Sequence, residues 1–269
     1  MLAEWFKHLT LPCPAPLRDM GYAREMIAIE ARHKRCHVAW APHLEHCKKV
    51  IGDAAQDIPH GKAVVLGSGL LLDIPLQGLS ETFSDVMLVD IFHMPAARKR
   101  IRDMANVRLE TADITGLADA TWTHVREARA GPLPPPRADA GVFADADLVV
   151  SANVLTQLPL FPMGWVEEKG QGYGEDDIKS FARRIVEDHL HFLSALPSRI
   201  CLLTETQRVI FGGPKGDEMI EKIDPLFGVS IPASGRKWVW NIAPRPEINP
   251  HIALRYRMTG IIDLKAATE

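Results

Sequence analysis

Short apolar runs that end near glycine, serine or aspartate recur along the middle of the chain, separated by stretches with helical spacing. The runs cover residues 62–66, 86–89, 107–109, 148–151 and 200–204. Runs of this length bounded by turn residues are typical of buried strands, and strands that alternate with helices form parallel sheets covered on both faces. The pattern therefore predicts an α/β fold with a doubly wound, mostly parallel sheet.

The C-terminal part departs from this alternation. Residues 236–242 and 252–258 have the pattern of strands, and only a proline-rich connection separates them. Strands with so short a connection pair antiparallel. We therefore expect a seven-stranded sheet that finishes in a C-terminal antiparallel strand pair.

The segment before the first strand has helical patterns over residues 24–34 and 44–55, interrupted at Pro42. Because proline is tolerated in a first turn but not in a helix interior, this predicts two helices. We expect an N-terminal helical addition over residues 1–60, acting as a cap or lid, and one main domain over residues 61–269.

The composition argues against a disulfide-rich, a secreted or a membrane-spanning protein. The chain is 46% hydrophobic, carries a formal net charge of −3 and has four cysteines without a CxxC pair. Reduced thiols are therefore more consistent with the sequence than a disulfide framework. Charges interrupt the first ten residues, where a signal peptide would need an apolar core, and no run approaches the ~20 apolar residues that cross a bilayer.

The near-neutral charge balance, without a long basic run, does not favour nucleic-acid binding. We expect a cytoplasmic protein that acts on a small molecule and binds neither nucleic acid nor a membrane. The sequence does not predict its oligomeric state.

Residues suited to ligand binding follow the first three predicted strands. Gly67-Ser68-Gly69 comes directly after the first strand, Asp90 ends the second and Asp113 follows the third. Ligands of open α/β sheets bind beyond the carboxyl ends of the strands, where the strand order reverses. Glycines let the backbone approach a ligand closely, and a carboxylate at Asp90 can accept both hydroxyl hydrogens of a ribose.

In order and spacing, these segments resemble class I S-adenosylmethionine-dependent methyltransferases over about residues 62–265. The resemblance rests on VVLGSG at 64–69, VMLVD at 86–90, LETADI at 109–114 and DLVVSANVL at 147–155. It implies a Rossmann-like methyltransferase domain with S-adenosylmethionine as cofactor. It also implies a set of cofactor-binding residues at the strand ends: Gly67, Ser68, Gly69, Asp90, Ile91, Asp113, Ile114, Ser151, Ala152 and Asn153.

Within that set, the resemblance implies that Asp90 binds the ribose and Ile91 contacts the adenine. It implies that Asp113 bonds the adenine amino group with Ile114 near the ring, and that residues 151–153 line the methionine end. Asp113 and Asn153 have an alternative explanation as helix caps, which the sequence leaves open.

The loop after the first strand departs from the family pattern. An acidic residue often found before the first glycine is replaced by Leu66 or Val65, and a third glycine expected near residue 71 is Leu71. Asp73 and Pro75 suggest a helix that begins late, with Asp73 near its cap and the proline in its first turn.

Methyl transfer from a sulfonium requires orientation and, for some acceptors, a base, so no catalytic residue can be named from the sequence. Gln157, one helical turn beyond Asn153, is a candidate substrate-binding residue. Trp165 and Tyr173 are further candidates because they lie in a glycine-containing segment over residues 160–177. That segment is interpreted either as a substrate lid or as a solvated loop anchored by one aromatic residue.

Several potential metal ligands occur near one another before the first strand, namely Cys36, His37, His43, His46 and Cys47. The adjacent Cys-His and His-Cys pairs point to different helix faces, and no second pair follows at zinc-finger spacing. We therefore expect no bound metal.

These features favour an S-adenosylmethionine-dependent methyltransferase with a small-molecule acceptor. Two alternatives remain open. One is a non-catalytic S-adenosylmethionine-binding or scaffold protein with the same fold. The other is an NAD(P)-dependent oxidoreductase, although the third glycine of its fingerprint falls at Leu72 in this chain.

Overall fold

The computed structural model describes residues 11, 13–214 and 216–267 of the 269-residue chain. The first ten residues, on which the signal-peptide expectation rests, lie outside this part. The strands are β1 (Lys62–Leu66), β2 (Asp85–Asp90), β3 (Val107–Thr111), β4 (Leu148–Ala152), β5 (Arg199–Gly212), β6 (Glu218–Ile223), β7 (Arg236–Ala243) and β8 (Ala253–Ile261). The α-helices are α1 (Ala15–Asp19), α2 (Tyr22–Ala54), α3 (Leu76–Thr82), α4 (Pro95–Ile101), α5 (Ala118–Arg126), α6 (Leu160–Lys169) and α7 (Glu175–Ala195).

The strands form one sheet in the order β3-β2-β1-β4-β5-β8-β7, with β6 paired to β5 outside this path. Strands β1 to β5 pair in parallel, and β8 is antiparallel to both β5 and β7. This confirms the predicted fold class, including the C-terminal antiparallel pair. The strand order reverses between β1 and β4, so the ligand crevice of such a sheet is expected at their carboxyl ends.

Apolar side chains cover both faces of the sheet. On one face, Val65 and Val150 pack with residues from the C-terminal half of α2. On the other face, Val64 and Val149 pack with residues of α7. Strands buried on both sides read as continuous apolar runs, which explains why these strands were predictable from short windows.

An eighth strand, β6, was not predicted. It pairs antiparallel with the C-terminal part of β5. Strand β5 continues to Gly212, whereas the sequence pattern predicted its end at Thr204. All six residues of β6 are exposed, and none belongs to a buried apolar run. A strand held mainly by backbone pairing to its neighbour leaves little hydrophobic signal in the sequence.

The prediction of two N-terminal helical segments is right in number, but the predicted boundary at Pro42 is wrong, because the 33-residue element α2 stays helical through that proline. The interruption appears instead as non-helical backbone angles at Cys36. Proline removes one helical hydrogen bond and bends the axis, but buried residues on both sides of it, such as Trp40 and Cys47, hold the helix against the sheet. The indole N–H of Trp40 donates to the carbonyl of Ile242 in β7 at 2.9 Å.

The segment over residues 160–177, interpreted as a loop, contains the helix α6 and the start of α7. Pro162 and Val166 are buried on α6, so the segment is anchored by a helix face rather than by a single aromatic residue. The expected cap at Asp73 is also absent, because the N-cap of α3 is Pro75 and no side chain bonds to that helix end.

Within the described part of the chain, no helix has the length and apolar character needed to cross a bilayer.

Leu71 occupies the place of the expected glycine and retains the backbone conformation that a glycine would have there. Its φ is +59°, which L-residues adopt at a cost, while its side chain is fully buried in the core. Packing and backbone preference therefore act in opposite directions at this position.

We predict that Leu71→Ala lowers the free energy of unfolding by about 2–5 kcal/mol, because a buried leucine is truncated. Leu71→Gly also loses the side chain but removes the backbone strain, so it should be about 1 kcal/mol more stable than the alanine variant. Urea unfolding of both variants measures this difference. An alanine variant more stable than the glycine variant would contradict the proposed strain.

Candidate functional site

A pocket opens at the carboxyl ends of the central parallel strands and is covered by α2. Its empty volume, the open mouth included, is about 1240 Å³. Tyr22, Met26 and Ile29 recur at three- and four-residue spacing, so one face of α2 lines the pocket. Further along the same helix, Trp40 and His43 line it as well.

The floor of the pocket is a tight glycine turn after β1. The N–H of Gly67 donates to the carbonyl of Val89 at 2.9 Å, and its φ is +77°. A Cβ added at this position would lie 2.5 Å from the Cβ of Val154. Only glycine satisfies both restrictions, and Ser68 and Gly69 complete the turn at the pocket wall.

Asp90 lies at the end of β2 beside this turn. Its Oδ2 accepts a hydrogen bond from the N–H of Gly69 at 2.7 Å, which aligns the carboxylate with the glycine turn. Its Oδ1 has a long contact of 3.5 Å with the N–H of Phe92. Burial raises the pKa of Asp90. The neighbouring Ile91 also lines the pocket, so the predicted pair lies together.

Asp113 lines the pocket with Ile114, but its carboxylate already has local partners. Oδ1 accepts from the N–H and hydroxyl of Thr115 at 2.9 and 2.7 Å, and Oδ2 accepts from the N–H of Ala118 at 2.8 Å. These bonds close the turn that leads into α5, although the N-cap residue of that helix is Leu117 and not Asp113. An adenine contact would use the remaining lone pairs.

Asn153 follows β4 with a φ of +55° and points its side chain across the pocket floor. Its Nδ2 donates to Oδ2 of Asp73 at 2.6 Å, so it does not act as a helix cap. Its neighbour Ala152 lines the pocket beside it. Burial raises the pKa of Asp73. Asp73 was expected to cap a helix, and its real position was not predictable because it depends on how the loops after β1 and β4 meet.

His43 is held by a hydrogen bond from β7. The indole N–H of Trp238 donates to Nδ1 of His43 at 3.0 Å. Because an indole nitrogen only donates, Nδ1 must be the unprotonated nitrogen, and the neutral ring carries its proton on Nε2. Burial lowers the pKa of His43 to about 3. The ring also stacks on Trp240, with centroids 3.9 Å apart.

The donor atoms of His43, Cys47 and Asp73 lie within 4.8 Å of one another, a grouping that the sequence did not predict because Asp73 is distant in the chain. The fixed tautomer makes this grouping a poor metal site. A neutral histidine whose Nδ1 accepts from Trp238 has no free lone pair on Nε2 for a metal. Cys47 Sγ lies 3.6 Å from both His43 Nε2 and Asn153 Nδ2, so it completes a hydrogen-bonded network instead.

Three predicted residues lie outside the pocket lining. Ser151 is buried, with its hydroxyl 3.0 Å from Nε2 of His189 on α7. Trp165, on α6, packs against apolar side chains of two buried clusters. The hydroxyl of Tyr173 forms hydrogen bonds with His124 and with the carbonyl of Gly131. Because residues 160–169 form a helix rather than a loop, α6 presents Phe161 to the pocket instead of Trp165. These three residues therefore do not belong to the pocket wall.

Gln157 does line the pocket, as expected, and its Nε2 donates to the carbonyl of Asn153 at 2.7 Å. The sequence did not identify the contribution of α2 or of Trp240. The spacing of Tyr22, Met26 and Ile29 was visible as an apolar helix face, but such a face is normally covered by core packing alone.

The charges on the pocket wall are all of one sign. Four carboxylates line it: Glu25, Asp73, Asp90 and Asp113. Among the described residues that line the pocket, there is no lysine or arginine. Glu25, from α2, forms no hydrogen bond or ion pair with another described side chain. This wall therefore favours a ligand that carries positive charge.

No family model and no curated protein matches the chain. Solved structures with a similar course of the chain include a DhpI–S-adenosylhomocysteine complex, with 13% identity over 87% of this chain and 93% of that chain and a TM-score of 0.35. The N-methyltransferase NodS from Bradyrhizobium japonicum is 12% identical over 95% and 96%, with a TM-score of 0.33. A 1,6-didemethyltoxoflavin-N1-methyltransferase from Burkholderia thailandensis is 13% identical over 93% and 92%, with a TM-score of 0.35.

The parallel sheet reverses between β1 and β4 and ends in an antiparallel pair, which is the strand order of the class I methyltransferase fold.

We predict that the group formed by His43, Cys47 and Asp73 holds no metal. Purified protein should contain less than about a tenth of an equivalent of zinc, and a chelator should leave the melting temperature unchanged, because a metal bound to the native state would stabilise it. Elemental analysis and thermal unfolding measure both. Stoichiometric zinc that disappears in Cys47→Ser would contradict the tautomer assigned to His43.

Proposed function

We propose that the protein transfers the methyl group of S-adenosylmethionine to a small-molecule acceptor. The observation that carries this proposal is the pocket wall at the sheet's carboxyl edge, where four carboxylates and a glycine turn occur without a lysine or arginine among the described lining residues. S-adenosylmethionine carries a sulfonium and an ammonium group against one carboxylate, so it is a cation. The positive charge of the ligand is thus complementary to the negative charge of the wall.

The residues present suit each part of this cofactor. Asp90 has an oxygen available for ribose hydroxyls, and its other oxygen is fixed by Gly69. Ile91 and Ile114 offer apolar surface for an adenine ring, and the glycine turn at residues 67–69 lies in the same pocket wall. In this proposal the methionine end lies towards Asn153.

The oxidoreductase alternative fits the wall less well. A dinucleotide carries two phosphates, which bind where backbone N–H groups, lysines or arginines supply positive potential. Here the N–H of Gly69 is already bonded to Asp90, and those of Gly67 and Ser68 are bonded to the carbonyl of Val89. The buried Leu71 directly precedes Leu72, which occupies the position of the third glycine in the dinucleotide-binding fingerprint.

The bound cofactor supplies an activated methyl carbon, so the chain's own task is to orient the acceptor and exclude water. Apolar residues of α2 and α6, including Ile29 and Phe161, close the pocket above the strand ends. His43 is not suited to act as a base, because one ring nitrogen accepts from Trp238 and the other carries a proton. An acceptor that needs deprotonation would have to use a carboxylate or water.

In this proposal, the acceptor enters between α2, the start of α6 and Trp240 of β7. The wall in this region combines Trp40, Trp240, Leu158 and Phe161 with the half-buried carboxylate of Glu25. An anionic acceptor would face this carboxylate and Asp73 without a compensating cation from the described wall. We therefore propose a neutral or cationic acceptor with an apolar body.

We predict that calorimetry detects binding of S-adenosylhomocysteine, and that NAD and NADP bind at least tenfold more weakly because their phosphates face carboxylates. Asp90→Asn should weaken S-adenosylhomocysteine binding by about tenfold or more, since charge-assisted bonds to the ribose are lost while the bond from Gly69 can persist.

The matched control is Asp85→Asn, which removes an aspartate at the opposite end of β2, where it pairs with Arg108 on the surface. It should leave the affinity unchanged. Tighter binding of NAD or NADP would favour the oxidoreductase alternative, and full affinity in a folded Asp90→Asn protein would contradict the assigned ribose contact.

We predict that incubation with methyl-labelled S-adenosylmethionine and a metabolite extract transfers label to a low-mass product. Scintillation counting after size separation and mass spectrometry of the labelled fraction provide the measurement. Label found only on protein or RNA would contradict a small-molecule acceptor. Tight cofactor binding without transfer to any fraction would favour the non-catalytic alternative.

A further inference from the structure

Two loops meet on the pocket floor and place two hydrogen-bond acceptors side by side. Asp73 comes from the loop after β1, and Asn153 follows β4. The only side-chain hydrogen bond recorded between them is the one from Asn153 Nδ2 to Asp73 Oδ2. Both residues line the pocket.

One acceptor of this pair lacks a donor, and the carboxylate of the pair lacks a paired cation. Asn153 Oδ1 is buried without a hydrogen-bond partner in the described structure, and the residue is only 9% exposed. Asp73 forms no ion pair within the described chain, although Lys48 and Arg100 act on it from a distance. An unpartnered buried acceptor and a half-buried carboxylate without a paired cation are both costly, so a ligand that donates hydrogen bonds and carries positive charge would relieve both.

We propose that Asp73 and Asn153 bind the ammonium group of the cofactor's amino-acid portion. This inference rests on the proposed function. An ammonium group has three N–H donors, which suits two adjacent acceptors, whereas a sulfonium group has none. The pair is therefore assigned to the amino group rather than to the reacting sulfur.

The local sequence explains how an aspartate comes to this position. Helix α3 begins only at Leu76, so residues 70–75 remain a loop after the glycine turn. The positive φ of Leu71 and its buried side chain fix the course of that loop. Asp73 then faces Asn153 instead of capping α3. The acidic position that this chain lacks before Gly67 is thus replaced by a carboxylate from beyond the turn.

The neighbouring side chains keep the pair in place without competing for its acceptors. Cys47 Sγ lies 3.6 Å from Asn153 Nδ2 on one side and 3.6 Å from His43 Nε2 on the other. His43 is in turn held by Trp238. The orientation of the Asn153 amide therefore follows from its two donor contacts, which leaves Oδ1 as the free acceptor.

The test uses three probes that share the adenosine part and differ in the amino-acid part. S-adenosylhomocysteine has both the amine and the carboxylate, S-adenosyl-3-thiopropylamine keeps only the amine, and 5′-methylthioadenosine has neither. We expect Asp73→Asn to weaken binding of the first two probes by about tenfold or more and to change that of 5′-methylthioadenosine by less than about twofold. Asparagine keeps an oxygen for the bond from Asn153, so the pocket floor should remain intact.

Calorimetry on the full chain measures all three affinities, and Asp85→Asn serves as the control for loss of one aspartate. Equal affinity of wild type and Asp73→Asn for S-adenosylhomocysteine would overturn the inference while leaving the proposed function in place. An equal loss for all three probes would also overturn it, because the effect would then be general. A wild-type protein that binds none of the probes would overturn the proposed function and this inference together.

Discussion

The hydrogen bond from Trp238 to His43 connects parts of the molecule that are far apart in sequence. It joins β7, near the C-terminal end of the fold, to α2, which precedes the first strand. Together with the bond from Trp40 to the carbonyl of Ile242, it fixes the covering helix over the carboxyl edge of the sheet. Without this attachment, the glycine turn and Asp90 would lie on an open edge rather than in a pocket.

The same bond determines chemistry as well as position. It sets the tautomer of His43, and through Cys47 that choice extends to Asn153 and Asp73. A group of side chains that looks like a metal site by distance alone becomes a hydrogen-bonded network once each proton is placed. The groups of this network that lack a partner are acceptors: Asn153 Oδ1 has no hydrogen-bond donor, and the Asp73 carboxylate has no paired cation. The pocket therefore suits a cationic ligand that donates hydrogen bonds.

Local sequence signals predicted the sheet well because they depend on neighbouring residues. The apolar runs ending at Gly67 and Asp90 are strands buried on both faces, and their ends necessarily lie at one edge of a parallel sheet. Of the predicted site, the glycine turn, Asp90, Ile91, Asp113, Ile114, Ala152, Asn153 and Gln157 line one pocket.

Other features depend on tertiary contacts and were not predictable in the same way. Pro42 looked like a helix boundary, but packing on both sides of it keeps the chain helical there, and the kink of α2 lies at Cys36 instead. Ser151 follows the strand-end pattern, yet its side chain faces α7 because alternate residues of a strand point to opposite faces. Asp73 and Trp240 line the pocket because segments distant in the sequence pack together, and a single sequence carries no signal for such contacts.

A crystal structure of the protein with S-adenosylhomocysteine tests the central claim most directly, namely that the pocket beneath α2 is the cofactor site. The account predicts the ligand at the carboxyl ends of β1, β2 and β4, with both ribose hydroxyls within hydrogen-bond distance of Asp90. A ligand bound elsewhere, such as in the groove that Lys237 and Arg257 help to line on the antiparallel strands, would contradict it.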